Sequence, residues 1–179
     1  KRASPGLFAI EYGMESLPFI LKWVKSDNPK VKYSCYRAIN EILGRIRINL
    51  NIEKRTLLPW ADITVEKIPK EIRTTIEEIF SIAIQEILNR DIEPEIRTHI
   101  ITTLRFLGTE EAISVLQECL KDPDPRIRLN ATFSLRWIEG KEYSYIKAFS
   151  GKEPKTPEEL AEYLSDTQWG LSIEASRKL

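Results

Sequence analysis

The chain has 179 residues, 42% hydrophobic and 30% charged, with 27 basic residues balanced by 27 acidic ones. That length suits one domain with a sizeable core or about four short repeats, and the neutral balance removes the strongly basic character that would advertise nucleic-acid binding. No apolar run approaches the ~18 residues of a membrane span and the first residues lack a secretory apolar segment. A cytoplasmic protein with no membrane partner is therefore expected.

In chain order, Leu7 to Gly13 read as the tail of a helix that begins upstream, because Ile10-Glu11-Tyr12-Gly13-Met14-Glu15-Ser16-Leu17 parallels Phe106-Leu107-Gly108-Thr109-Glu110-Glu111-Ala112-Ile113. This makes the chain either part of a longer array or one with an atypical first cap. Three short segments then repeat one another: Asp27-Asn28-Pro29-Lys30-Val31-Lys32, Asp91-Ile92-Glu93-Pro94-Glu95-Ile96-Arg97 and Asp122-Pro123-Asp124-Pro125-Arg126-Ile127-Arg128. Proline fits the first turn of a helix, where its missing N–H would have no partner, and the acidic residues upstream suit capping. Counted from the β-branched residue, positions +4 and +8 hold Cys35 and Ile39, Ile100 and Leu104, Ala131 and Leu135. At ~100° per residue these lie within one arc and predict a buried stripe.

Each motif is thus the turn of a helical hairpin. The first (A) helices are predicted at 15–26, 70–89 and 109–121, the second (B) helices at 29–45, 94–107 and 125–139. Gly44, Gly108 and Gly140 are expected to close the B helices in the left-handed conformation. Pro94 and Pro125 are 31 residues apart but Pro29 and Pro94 are 65 apart, which predicts an insertion, with Arg45 to Ile52 either a short strand or a helix overrun. After Gly140, Tyr143 to Phe149 read as a further A helix, Thr156-Pro157-Glu158-Glu159 opens a helix to about Leu164, and 170–178 form a last short one. Cys35 and Cys119 fall inside amphipathic helices, as buried thiols rather than a disulfide or zinc framework.

An Asp-containing turn, Pro, a β-branched residue and then Lys or Arg, recurring in register, resembles HEAT repeats over residues 7 to 140. The resemblance implies an all-α protein, an α-α superhelix of about three to four helical hairpins. Residues 1–140 would form the array, with the insertion at about 45–69, and 141–179 a C-terminal helical cap of the same domain. It also implies that Lys32, Arg97 and Arg128 pair with the turn aspartates Asp27, Asp91 and Asp122, and that the B helices line a concave face.

On that face, positions −1, +2, +6 and +9 bring Lys30, Tyr33, Arg37 and Asn40, then Glu95, Thr98, Thr102 and Arg105, then Arg126, Leu129, Phe133 and Arg136. The A helices carry Glu71, Glu77, Glu78, Glu86, Glu110, Glu111 and Glu118, so a neutral protein would combine a basic groove with an acidic back. Lys30, Tyr33, Arg37, Arg105, Arg126, Phe133 and Arg136 are the expected partner-binding residues. Leu57, Leu58 and Trp60 of the insertion form a second candidate patch, since long connections and clustered aromatics often serve interfaces.

No catalytic residue, metal ligand or cofactor is expected. The single histidine, His99, lies beside the buried stripe, and neither a Gly-rich phosphate loop nor a nucleophile with a nearby base is present. The His-Glu metal pairs of HEAT-repeat hydroxylases are missing, and neither the bilin lyases nor the alkylpurine DNA glycosylases built on similar repeats offer a firm residue match. The sequence accordingly reads as a non-enzymatic scaffold or adaptor binding an acidic or amphipathic protein segment. The alternatives are a nucleic-acid-binding protein using the same groove, or a structural domain of a longer protein.

Overall fold

The computed structural model describes residues 13–49, 68–140, 143–151 and 156–161, which are helical with no strand among them. A 3-10 turn, Gly13–Ser16, leads into α1 (Leu17–Val24), followed by α2 (Pro29–Asn49), α3 (Lys70–Glu86), α4 (Pro94–Leu107), α5 (Glu110–Cys119), α6 (Pro125–Glu139), α7 (Tyr145–Ser150) and α8 (Pro157–Ala161). None of these helices is long and apolar enough to cross a membrane.

The three motif prolines open α2, α4 and α6 where the sequence places them. Asp124 caps α6, its carboxylate accepting the Arg126 N–H at 2.8 Å. Thr109 caps α5, accepting the Ala112 N–H. Gly108 and Gly140 end α4 and α6 at φ 63° and 64°, a conformation that costs any side chain with a Cβ. Gly44 does not act this way. It lies inside α2, which runs on to Asn49, and its hydrogen faces the Phe106 ring, 3.9 Å from where a Cβ would stand. Of the two readings of the segment after Gly44, the helix overrun is correct as far as Asn49.

The buried stripe is continuous. Cys35, Ile39, Ile96, Ile100, Leu104, Ile127, Ala131 and Leu135 are each at most 2% exposed, while Val31 is half-buried. A-helix residues such as Ile20, Ile76, Ile79 and Leu116 meet them from the other layer in one core. Both cysteines are free and buried; burial pushes the Cys35 thiol up to about 11 and that of Cys119 to about 12.

The B helices α2, α4 and α6 pack against one another in sequence, whereas the A helices α3 and α5 hardly touch. Of the A helices, α1 packs on α3, so the stack opens on its A side only between α3 and α5.

The cation after each β-branched residue knits successive hairpins. Arg97 of α4 donates from Nε to the Ile87 carbonyl at 2.9 Å and from Nη2 to Asp122 Oδ2 at 2.5 Å. Arg128 of α6 donates to the carbonyls of Asp122, Pro123, Ala148 and Phe149 at 2.5–2.8 Å. Lys32 of α2 pairs with Glu86, which also accepts from the Tyr36 hydroxyl at 2.8 Å. Each cation thus reaches the C-terminal end of the next A helix, Lys32 and Arg97 through a carboxylate there and Arg128 through carbonyls that lack intrahelical donors. The expected pairing with turn aspartates therefore holds only for Arg97 with Asp122. Asp27 and Asp91 are exposed, and the position facing Lys32 is filled by a glutamate from the last turn of α3.

Arg128 grips the end of α7 as Arg97 grips the end of α5, and Pro157 follows Pro125 by 32 residues. Helices α7 and α8 continue the repeat order. Leu57, Leu58 and Trp60, with most of the insertion, lie outside the described residues.

Candidate functional site on the B-helix face

The B face divides into two parts. On α2, Lys30 and Arg37 are exposed, and neither forms an ion pair among the described residues. Tyr33 is half-buried, its ring edge-on to His99 at 4.9 Å between centroids. Asn40 bridges to α4, donating to the His99 carbonyl at 3.0 Å and accepting from the Thr103 hydroxyl at 2.8 Å. Burial lowers the His99 pKa below 6.5, opposed by Glu95 and assisted by Arg37, so the imidazole is held neutral. On α4 itself, the Thr98 and Thr102 hydroxyls donate back to carbonyls of their own helix.

The second part lies toward the C-terminal ends of α4 and α6. The Arg105 guanidinium stands 5.1 Å from the centroid of the Phe133 ring and 5.5 Å from those of Phe106 and Trp137. Phe133 remains 36% exposed, and its ring lies 6.4 Å from that of Trp137. A cation within about 6 Å of an aromatic face is attracted by the ring quadrupole, so three rings hold Arg105 in place.

The other cations of the predicted groove are engaged elsewhere. Arg126 forks onto Asp124 at 2.7 and 3.1 Å, holding that carboxyl below the usual carboxylate range. Arg136 donates to the Tyr143 carbonyl at 2.7 Å and lies 4.6 Å from the Tyr145 ring centroid, facing the C-terminal segment. Of the seven residues expected to bind a partner, the structure thus brings Arg105 and Phe133 together, sends Tyr33 to His99, and directs Arg126 and Arg136 to their own neighbourhoods. Phe133 stands exposed on the side of α6 where the helical wheel puts it; Trp137, four residues on, falls outside the wheel's four positions, and its i, i+4 spacing was the available signal for the pair. The acidic back is present: Glu71, Glu77, Glu78, Glu110, Glu111 and Glu118 are exposed. Glu86 is the exception, turned inward to Lys32 and Tyr36.

The metal pairs that mark HEAT-repeat hydroxylases need clustered His and carboxylate donors. Among the described residues no group of three or more His, Cys, Asp or Glu could hold an ion, and His99 packs its ring against Tyr33. The donors among the described residues therefore do not form such a set.

Comparison with known proteins adds two findings. Residues 83–177 match the family model of HEAT repeats. The chain is 28% identical over 126 residues to the deoxyhypusine hydroxylase of Schizosaccharomyces pombe, a match covering 66% of this chain and 38% of that protein. No solved structure matches. The relative is an enzyme, and this overturns two expectations from the sequence, that the chain is a non-enzymatic scaffold and that it is no enzyme. The reason is physical: the repeats encode packing, which is common to binders and catalysts alike, while chemistry resides in a few side chains that a fold does not specify.

Proposed function

The chain belongs to the HEAT-repeat family, and from that premise we propose that it is a repeat segment of an enzyme that hydroxylates deoxyhypusine or a kindred amino-acid side chain. The observation that carries the reading is the match to a deoxyhypusine hydroxylase along 66% of the chain. The chain spans 38% of that relative's length, so the proposal concerns the role of these repeats within the activity. That role is to hold the protein that bears the side chain. The cluster of Arg105, Phe133 and Trp137 supports it, because Trp and Arg anchors with adjoining apolar surface recur at interface hot spots. A cytoplasmic setting is part of the proposal, in keeping with two free thiols.

The test is to incubate the protein with a deoxyhypusine-bearing substrate protein and measure the mass gain of one oxygen atom at that residue. Wild type should produce the gain, and Arg105→Glu with Phe133→Ala should raise KM with little change in kcat, the mark of lost uniform binding. No oxygen gain with wild type under any metal or reductant supplied would overturn the enzyme reading. A gain unaffected by the double variant would overturn the role given to the B face.

A further inference from the structure

The gap on the A side leaves a cleft of about 240 Å³ between α3 and α5. Its lining includes Phe80, Ile84 and Leu107, with Glu77 on the α3 wall and Glu111 on the α5 wall. Phe80 and Leu107 also close the core, at 2% and 9% exposure, so the apolar surface is fixed by packing and does not depend on a mobile loop. Glu77 and Glu111 are exposed, and neither forms an ion pair with a described residue. No lysine or arginine among the described residues lines the cleft.

From this combination we infer that the α3–α5 cleft is a docking site for a lysine side chain of a partner polypeptide. The volume is below the range of about 300–1,000 Å³ typical of small-molecule and cofactor pockets, which favours a single side chain. An alkyl stem that lies along apolar surface while its ammonium stays at the wet rim is how lysine partitions, and the cleft offers both parts. A carboxylic side chain would meet two like charges, and a purely apolar one would leave both carboxylates without a cation.

The α5 N-terminus opens beside the cleft with Thr109 as its cap, and its dipole presents about half a positive charge. Glu110 and Glu111 in that first turn, together with Glu77, outweigh it, leaving a net negative rim. The site is on the layer opposite Arg105 and does not depend on the function proposed for the B face.

The test is a titration of the 15N-labelled chain with N-acetyl-lysine methylamide, followed through the amides of Ser81 and Thr109 at the cleft. The norleucine analogue, with the same stem and no charge, is run alongside. The lysine probe should shift those amides and the norleucine probe should not. Glu77→Gln with Glu111→Gln should weaken binding about fivefold, as expected for losing exposed ion pairs. Equal shifts with norleucine would show an apolar crevice that does not read the ammonium, and would overturn the inference. So would unchanged affinity in the double variant, or no shift at these amides.

Discussion

Replacing Arg97 by Ala tests the central claim about how the hairpins are joined. The pair it forms with Asp122 is almost dry, with side chains 4% and 5% exposed. After the substitution Asp122 keeps, among the described residues, the Asp124 N–H at 2.9 Å and the contact of its own main chain with Arg128, and the Ile87 carbonyl loses its side-chain donor. Breaking one side of a buried pair costs about 3–5 kcal/mol, most of it from the uncompensated charge left behind. With an unfolding entropy of ~2.1 cal/mol/K per residue, a chain of 179 residues should lose about 10 °C in Tm for a ~4 kcal/mol loss. Calorimetry on Arg97→Ala should show this drop. Lys121→Ala, which removes a pair 73% and 55% exposed, should cost no more than about 1 kcal/mol. Arg97→Met with Asp122→Leu should recover much of the loss, since it leaves no lone charge. Equal Tm changes for Arg97→Ala and Lys121→Ala, or a double variant as unstable as the single, would refute the assignment of Arg97 as a buried joint.

Gly→Ala should act with opposite signs at two sites. In Gly44→Ala the new methyl meets Phe106 at ordinary contact distance inside a helix, stabilising by about 0.5–1 kcal/mol, whereas Gly140→Ala at φ 64° should cost about 1 kcal/mol, both read by urea unfolding. The single imidazole gives one proton-NMR titration, and its midpoint should lie below 6.5 and rise in Arg37→Glu. Because its folded pKa is lowered, the folded state binds fewer protons than the unfolded one as pH falls through 6.5, so stability should decline there, less so in His99→Gln. With thiol pKa values raised to about 11 and 12, Cys35 and Cys119 should resist a disulfide reagent at pH 8 while folded and both react in urea.

The hairpin order was legible because proline, a β-branched residue and the apolar stripe all act within one helix turn of each other. Helix starts were therefore readable at Pro29, Pro94 and Pro125. The A-helix ends were less so: α3 and α5 stop at Glu86 and Cys119 and the chain leaves through turns that carry no glycine. Gly44 misled because a glycine near a helix end has the same local signature whether it terminates the helix or faces a ring in the neighbouring hairpin. The partner of Lys32 is 54 residues away, and the rings around Arg105 come from two helices, so neither follows from one helix taken alone. The wheel could say that Arg105 and Phe133 share a face but not that they meet. The enzyme relationship was not legible either, since the residues that pack the repeats outnumber any that would do chemistry.

The three joints differ in the hardware that closes them, and this makes the array unequal along its length. Between the first two hairpins a single ammonium pairs with a glutamate that also accepts from a tyrosine hydroxyl, and an asparagine amide adds two hydrogen bonds. At the next, a planar guanidinium grips a buried carboxylate and a carbonyl together. At the last, one guanidinium spans four carbonyls. A flexible point charge tolerates sliding and rotation that a fork does not. Under tension the chain should yield first at the Lys32 joint, giving a pliant N-terminal hinge on a stiffer C-terminal arm.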